Sequence, residues 1–353
     1  MTKILKIDPL NPDKRSLRIA IETIKNGGLV VFPTETVYGL GADAFNVEAV
    51  SKIFKVKNRP MDNPLIIHIS NFSQLEDLVD VDFKKRKFLD FISHRLWPGP
   101  VTLVTKKSER VSYKVTGGLD TVAIRYPAHP VANLLIELSN TPIAAPSANL
   151  SGKPSPTDAK HVINDLNGLV DIIIDSGRSI FGIESTIIDI STEVPRLLRP
   201  GPISIERLKV LIPTLELPNI QSFRKPLSPG MKYRHYSPES CLVLFICEDE
   251  KKMVERIRRH LRKTNNKYII LLTTDETINL YPKDSNNFKK ISLGSRRKLY
   301  EIAHNLFDSI ITADLEKPAE IIVEGFKEMG LGFSIMNRLR KSAHRIVGEE
   351  DEV

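Results

Sequence analysis

The sequence predicts an α/β protein in two parts: a strongly twisted mixed sheet with helices, then a smaller, mostly parallel, doubly wound α/β domain. Three observations predict it. Up to about residue 212, short apolar runs bounded by Pro, Gly or small polar residues outnumber the segments with helical periodicity. From Cys241 onward the pattern changes to strand, helix, strand, helix, the order that builds a doubly wound sheet. Between them, Pro213, Pro218, Pro226, Pro229 and Pro238 interrupt a stretch of little periodicity. The expected division is therefore 1–212, 213–240 and 241–353, and a chain of 353 residues with 41% hydrophobic residues can fill two cores.

The first helix is expected over 13–26, with Leu17, Ala20, Ile21 and Ile24 on one face and Gly27-Gly28 ending it. A strand over 29–32 stops at Pro33 and leaves Thr34-Glu35-Thr36 at its mouth. Val47, Val50, Ile53 and Phe54 recur at helical spacing over 46–56. Further strands are predicted at 65–69, 101–105, 121–126, 142–145, 171–175, 185–190 and 196–198, with helices at 83–96, 130–139, 157–166 and 204–211. In the last part, strands at 241–246, 268–272, 288–292 and 321–323 alternate with helices at 250–262, 296–315 and 333–341. No Gly-x-Gly-x-x-Gly follows its first strand, so a dinucleotide site is not supported. The acidic end Glu349-Glu350-Asp351-Glu352 is expected to fray.

Lys and Arg number 51 against 43 Asp and Glu, a net charge of +8 spread along the chain rather than gathered in an arm. Cys241 and Cys247 are too far apart in an extended strand to bridge each other, and are expected to be buried structural thiols of an intracellular protein. Met1-Thr2-Lys3-Ile4-Leu5 has no apolar core of signal-peptide length and no run could span a membrane, so a cytoplasmic protein is expected.

Two stretches carry chemistry. Lys55, Lys57 and Arg59 lie at and beyond a helix end, followed by Pro60, Asn63, Pro64 and the apolar strand containing His68. Cations there suit the helix dipole, but two prolines stiffen the turn, and an anionic ligand would dock on it. Pro146-Ser147-Ala148-Asn149 places small polar residues directly after a short strand, where α/β sheets commonly hold ligands. A Walker loop, a Gly-x-Ser-x-Gly elbow and zinc spacing are all absent, so catalysis by positioning and charge fits better than covalent catalysis.

Lys57-x-Arg59 with Ser147-x-Asn149 resembles the signature of the YrdC-like threonylcarbamoyl-AMP synthases. The likeness continues in Pro33-Thr34-Glu35-Thr36-Val37-Tyr38-Gly39, Trp97-Pro98-Gly99-Pro100, Val122-Ala123-Ile124-Arg125, Glu184-Ser185-Thr186 and Arg199-Pro200-Gly201. Ser228-Pro229-Gly230 through Ser237-Pro238 is similar to the linker of the long, two-domain form. The resemblance implies synthesis of L-threonylcarbamoyladenylate and diphosphate from L-threonine, bicarbonate or CO2, and ATP. It implies that Arg59, Asn63, Thr121, Ser147, Ser155, Arg199 and His235 face ATP, while Thr36, His68, Arg125, the Ala145 backbone and Ser185 face threonine. Lys57 and Asn149 would serve the junction of the two substrates, with Lys57, Arg59, Ser147 and Asn149 forming the catalytic group. Mg2+ would arrive with the ATP phosphates, without a protein-borne metal cluster. On the same resemblance, the product would pass to a separate complex that modifies tRNA.

Thr36 read alone could equally cap a turn, and His68 and Arg125 could equally be satisfied core groups. The prolines alone would make 213–240 a spacer, but Lys232, Tyr233, Arg234, His235 and Tyr236 packed together favour a lid over the site. A module binding RNA without catalysis is the rival that the basic charge allows.

Overall fold

The structure is a computed structural model that describes residues 1–217, 236–264 and 267–351. The described residues form two compact units, one of residues 1–151 and 155–217, the other of Gly152–Pro154 and residues from 236 on.

The first unit carries one mixed sheet of ten strands: β1 (Lys3–Lys6), β2 (Val30–Phe32), β3 (Gly39–Asp43), β4 (Ile66–His68), β5 (Val101–Lys106), β6 (Thr121–Arg125), β7 (Ile143–Ala145), β8 (Ile172–Asp175), β9 (Thr186–Asp189) and β10 (Arg196–Arg199). They lie in the order β1-β8-β2-β3-β7-β4-β6-β5-β9-β10. Its helices are α1 (Lys14–Lys25), α2 (Val47–Lys57), α3 (Phe83–Leu96), α4 (Tyr113–Thr116), α5 (Pro130–Ser139), α6 (Ala159–Leu166) and α7 (Ile205–Leu211). Side chains of a strand alternate between faces, and β2 shows the consequence. Val30 and Phe32 pack with Leu17, Ala20 and Ile24 of α1 and Val131 and Leu135 of α5, whereas Val31 joins Val50 and Ile53 of α2 and Val162 of α6. Both faces are covered, which is why β2 is apolar at every position.

The predicted helices at 83–96 and 130–139 are found with those bounds as α3 and α5. Asp13 and Asn46 cap α1 and α2, each accepting two backbone N–H bonds. Two strands of this unit were not predicted. β1 is largely exposed and lies at the sheet edge against β8, so it shows no apolar alternation. β3 contains Gly39 and Gly41, and a Cβ on Gly41 would lie 2.6 Å from the Ile143 side chain and 2.8 Å from Phe32. Glycine here permits strand packing, although in the sequence it reads as a turn.

The second unit holds a wholly parallel sheet, β13 (Phe288–Ser292), β12 (Ile269–Thr273), β14 (Glu320–Glu324), β11 (Cys241–Phe245) and β15 (Arg345–Val347), in that spatial order. Helices α8 (Glu250–Lys263), α9 (Leu299–Leu315) and α10 (Leu331–Ser342) connect these strands. The expected α/β class holds in both units, while the short strand β15 was not foreseen.

Two expectations are corrected. Cys241 is exposed and Cys247 half-buried, both free, because Cys241 opens β11 ahead of the point where β15 begins to pair. The acidic end does not fray as far as Asp351. Arg256 donates to the carbonyls of Gly348, Glu349 and Asp351, and Glu349 accepts from the Glu248 backbone N–H at 2.7 Å. Within the expected lid, residues 218–235, His235 among them, lie outside the described residues.

At the C-terminal ends of β12 and β14, the fully buried Glu324 gathers a set of donors. Tyr281 Oη donates at 2.6 Å, Thr277 Oγ1 at 2.9 Å, Thr273 Oγ1 at 3.0 Å, Thr274 Oγ1 at 3.3 Å, and Arg296 Nη2 pairs at 2.7 Å. Burial pushes the Tyr281 phenol upward, so it stays a donor. A buried network is favourable only while every member is satisfied. Glu324→Gln, which turns an acceptor into an amide N–H facing donors, is expected to destabilise the protein by about 1–3 kcal/mol. Urea unfolding of the full chain measures it.

Candidate active site

The loop from β2 to β3 brings Thr34, Glu35 and Thr36 beside the end of β6. Thr34 Oγ1 donates to the Val37 carbonyl at 2.6 Å and accepts the Thr36 and Val37 N–H groups at 3.2 Å. The turn is therefore capped by Thr34, which leaves Thr36 free of that role. Thr36 Oγ1 instead accepts from Arg125 Nη1 at 2.7 Å. Arg125 also donates through Nε to the Gly99 carbonyl at 3.3 Å, and its Nη2 lies 2.7 Å from Glu35 Oε2. Both side chains of this ion pair are almost wholly buried, 4% and 2% exposed.

His68 is the register partner of Arg125 across the parallel pair β4–β6. Its ring meets Phe32 edge to face at 5.7 Å, and Nδ1 lies 3.2 Å from the Ile66 carbonyl. Burial, reinforced by the Arg125 charge, pushes it down to about 3, so the imidazole is neutral. Ala145 ends β7 opposite Ile66, which puts its backbone beside the same strand.

The second cluster is built on the end of α2. Asn58 takes the left-handed conformation at φ 50° and ends the helix just after Lys57. The Lys57 ammonium is buried and donates to the Ser147 carbonyl at 2.5 Å and also to the Asn149 carbonyl. Burial and the neighbouring Arg59 charge hold its pKa well below the lysine range. Ser151 N–H returns to the Lys57 carbonyl at 3.0 Å, so the lysine and loop 147–151 are tied in both directions. Within the loop, Ser147 Oγ donates to Asn149 Oδ1 at 2.6 Å. A bridge between Gly39 and Ser147 joins this loop to the one that carries Thr36. Arg59 folds onto its own turn, Nε to the Asn63 carbonyl at 3.0 Å and Nη2 to the Pro64 carbonyl at 2.8 Å.

Arg199, at the end of β10, donates to the Ser185 carbonyl at 3.0 Å and to Ser185 Oγ at 3.1 Å. Ser185 Oγ in turn lies 2.8 Å from Thr102 Oγ1, and Thr102 is the register partner of Arg125. The close approach needs Gly201, where a Cβ would sit 2.3 Å from Thr186 N. Ser155 Oγ donates to Glu184 Oε1, and Thr121 opens β6 opposite Lys106. Asn63 is buried with its Oδ1 unpartnered.

Thus Thr36, His68, Arg125, Ala145, Ser185 and Arg199 are linked by neighbouring strands and hydrogen bonds, and Lys57, Ser147 and Asn149 form a second group joined to them through Gly39. Arg59 and Asn63 share the turn after α2, whereas Thr121 pairs with Lys106 and Ser155 bonds Glu184, the neighbour of Ser185 in sequence. Sequence reasoning gave no role to Glu35, Glu184, Thr34 or Thr102. The signal for Glu35 was its place in the Thr34-Glu35-Thr36 motif, but its partner is distant in sequence. Among the described residues, no group of three or more His, Cys, Asp or Glu side chains is placed to hold a metal ion.

A mixed sheet that carries paired cations and small polar loops, followed by a parallel α/β unit, defines a class. The chain belongs to the Sua5/YciO/YrdC family: residues 22–201 match that family's model, described as "Telomere recombination". Residues 203–344 match a second model, "Threonylcarbamoyl-AMP synthase, C-terminal domain". Proteins named threonylcarbamoyl-AMP synthase are similar along nearly the whole chain. That of Bacillus subtilis is 43% identical over 339 residues, 95% of each chain, and that of Pyrococcus abyssi is 44% identical over 94% of this chain and 95% of its own. A crystal structure of P. abyssi Sua5 complexed with L-threonine superposes with a TM-score of 0.90 at 42% identity, covering 98% and 99% of the two chains. Escherichia coli YciO is similar over 57% of this chain and 96% of its own, with a TM-score of 0.51 and 25% identity.

Proposed function

We propose that this protein is an L-threonylcarbamoyladenylate synthase, which joins L-threonine, bicarbonate or CO2, and ATP and releases diphosphate. The observation that carries this reading is the end-to-end likeness, through both family domains, to relatives bearing that activity in their name. The threonine amine captures the one-carbon unit, and the resulting carbamate oxygen displaces diphosphate from the α-phosphorus in line. Arg125, Thr36, His68, Ser185 and the Ala145 backbone bind threonine. Asn63, Thr121, Ser155, Arg199 and His235 bind the nucleotide together with Arg59 and Ser147, the two arginines being suited to phosphate oxygens by their planar fork. Lys57 and Asn149 set the geometry where the substrates meet. Mg2+ bound to the ATP phosphates would supply charge neutralisation for the departing diphosphate, alongside Arg59 and Arg199. The product is handed to a tRNA-modifying complex in the cytoplasm.

The test is diphosphate release from ATP, Mg2+ and bicarbonate with and without L-threonine, coupled to mass detection of the adenylate. Threonine-dependent release with the mass of threonylcarbamoyl-AMP is expected. No release with any amino acid, together with tight, salt-sensitive RNA binding, would overturn the reading in favour of a binding module.

A further inference from the structure

Glu35 is a buried carboxylate with unused acceptor capacity. It is 1% exposed, and neither carboxylate oxygen accepts a hydrogen bond, although buried polar atoms are normally satisfied. Among the described residues its close neighbour of opposite charge is Arg125 Nη2, at 2.7 Å from Oε2 but without hydrogen-bond alignment. A structural arginine–carboxylate pair usually closes as a two-bond fork. Here Arg125 instead directs Nη1 at Thr36 and Nε at Gly99, leaving the carboxylate short of donors.

A free amino acid is a zwitterion, with a carboxylate and a three-donor ammonium on one carbon. Beside each other, Arg125 and Glu35 present the opposite pair of charges. We infer that Glu35 receives the ammonium of the amino-acid substrate and takes one of its protons, generating the amine that attacks the one-carbon unit. In that step an N–H bond breaks and an O–H bond forms on Glu35. The electron pair left on nitrogen makes the new N–C bond. With CO2, one C=O pair moves onto oxygen and the second N–H proton goes to water; with bicarbonate, the displaced hydroxide takes that proton and leaves as water. Glu35 returns its own proton to water after the product leaves. The assignment rests on the proposed function above, and deepens it by naming the base.

The charged and titratable groups that bear on Glu35 among the described residues are Arg125 on β6, His129 ahead of α5 and, through Arg125, His68 on β4. His129 is 7% exposed with Nδ1 unpartnered, and burial drives it down to about 4 against the opposing pull of Glu35. With His68 pushed down to about 3, neither imidazole carries a charge near pH 7, so of these groups it is the Glu35 carboxylate whose charge is opposite to that of an ammonium.

The experiment is the pH profile of kcat/KM for L-threonine, read as diphosphate release at fixed saturating ATP and bicarbonate over roughly pH 6.5–8.5. The wild-type profile is expected to be flat, because the enzyme takes the ammonium form that dominates in solution. Glu35→Gln is expected to lose on the order of 10²-fold at neutral pH, recovering about tenfold per pH unit as free amine accumulates. A pH-independent loss accompanied by a lowered Tm would mark a structural role and overturn the inference. So would a wild-type profile that itself climbs tenfold per unit, and this holds even when the variant fails to fold. A wild type that releases no diphosphate with threonine at any pH overturns the proposed function, and this assignment with it.

Discussion

Lys57→Ala is expected to lower threonine-dependent diphosphate release by at least about 100-fold. The reason differs from a simple lost charge. The Lys57 Nζ is enclosed and bonded to the carbonyls of Ser147 and Asn149, so its first task is to hold the loop that carries the Ser147 and Asn149 side chains. Removing it takes the ammonium donor away from the Ser147 and Asn149 carbonyls, a loss of about 1–3 kcal/mol where a buried acceptor is left unsatisfied, and frees the loop to relax. A displacement of about 1 Å at a site that works by positioning is enough for a hundredfold loss. Lys57→Arg should not rescue, since the larger planar head does not fit a site built around a single nitrogen. Steady-state rates and urea unfolding of both variants measure the two effects separately. Wild-type turnover in Lys57→Ala would remove this lysine from the mechanism.

How far the sequence led can be judged on the same residues. Lys57 and Ser147 stand in the two motifs whose pairing the family resemblance implied; Lys57 is the last residue of its helix and Ser147 follows a strand ending at Ala145. What the lysine touches was not legible. Spacing can bring two motifs to one end of a sheet, but it does not say whether an ammonium faces a substrate or a carbonyl. The strands missed tell a similar story: β1 is edge-exposed and β3 is glycine-rich, so neither shows the alternation that marks β5 or β6, and their place depends on partners distant in sequence. The exposed Cys241 and the Arg256-held tail were misjudged for the same reason, since each depends on where β15 ends up. The Glu324 network likewise draws on β12, β14 and the segments after β12 and β13, which no local pattern connects.

Arg125→Ala is expected to cost both stability and activity. Glu35, almost fully buried, would lose its neighbouring cation, and an ion pair broken on one side typically costs about 3–5 kcal/mol because the remaining charge stays uncompensated. Thr36 would lose its donor and the Gly99 carbonyl would lose Nε, so the substrate loop would lose two further restraints. The double variant Arg125→Leu with Glu35→Leu separates the two consequences. Removing both charges should restore much of the stability, since apolar side chains can replace a buried pair at little cost, while threonine-dependent release should stay at the level of the single variant. Urea midpoints and release rates of the single and double variants decide it. Recovered activity in the double variant would show that this pair serves the fold alone, and would take Arg125 out of threonine binding.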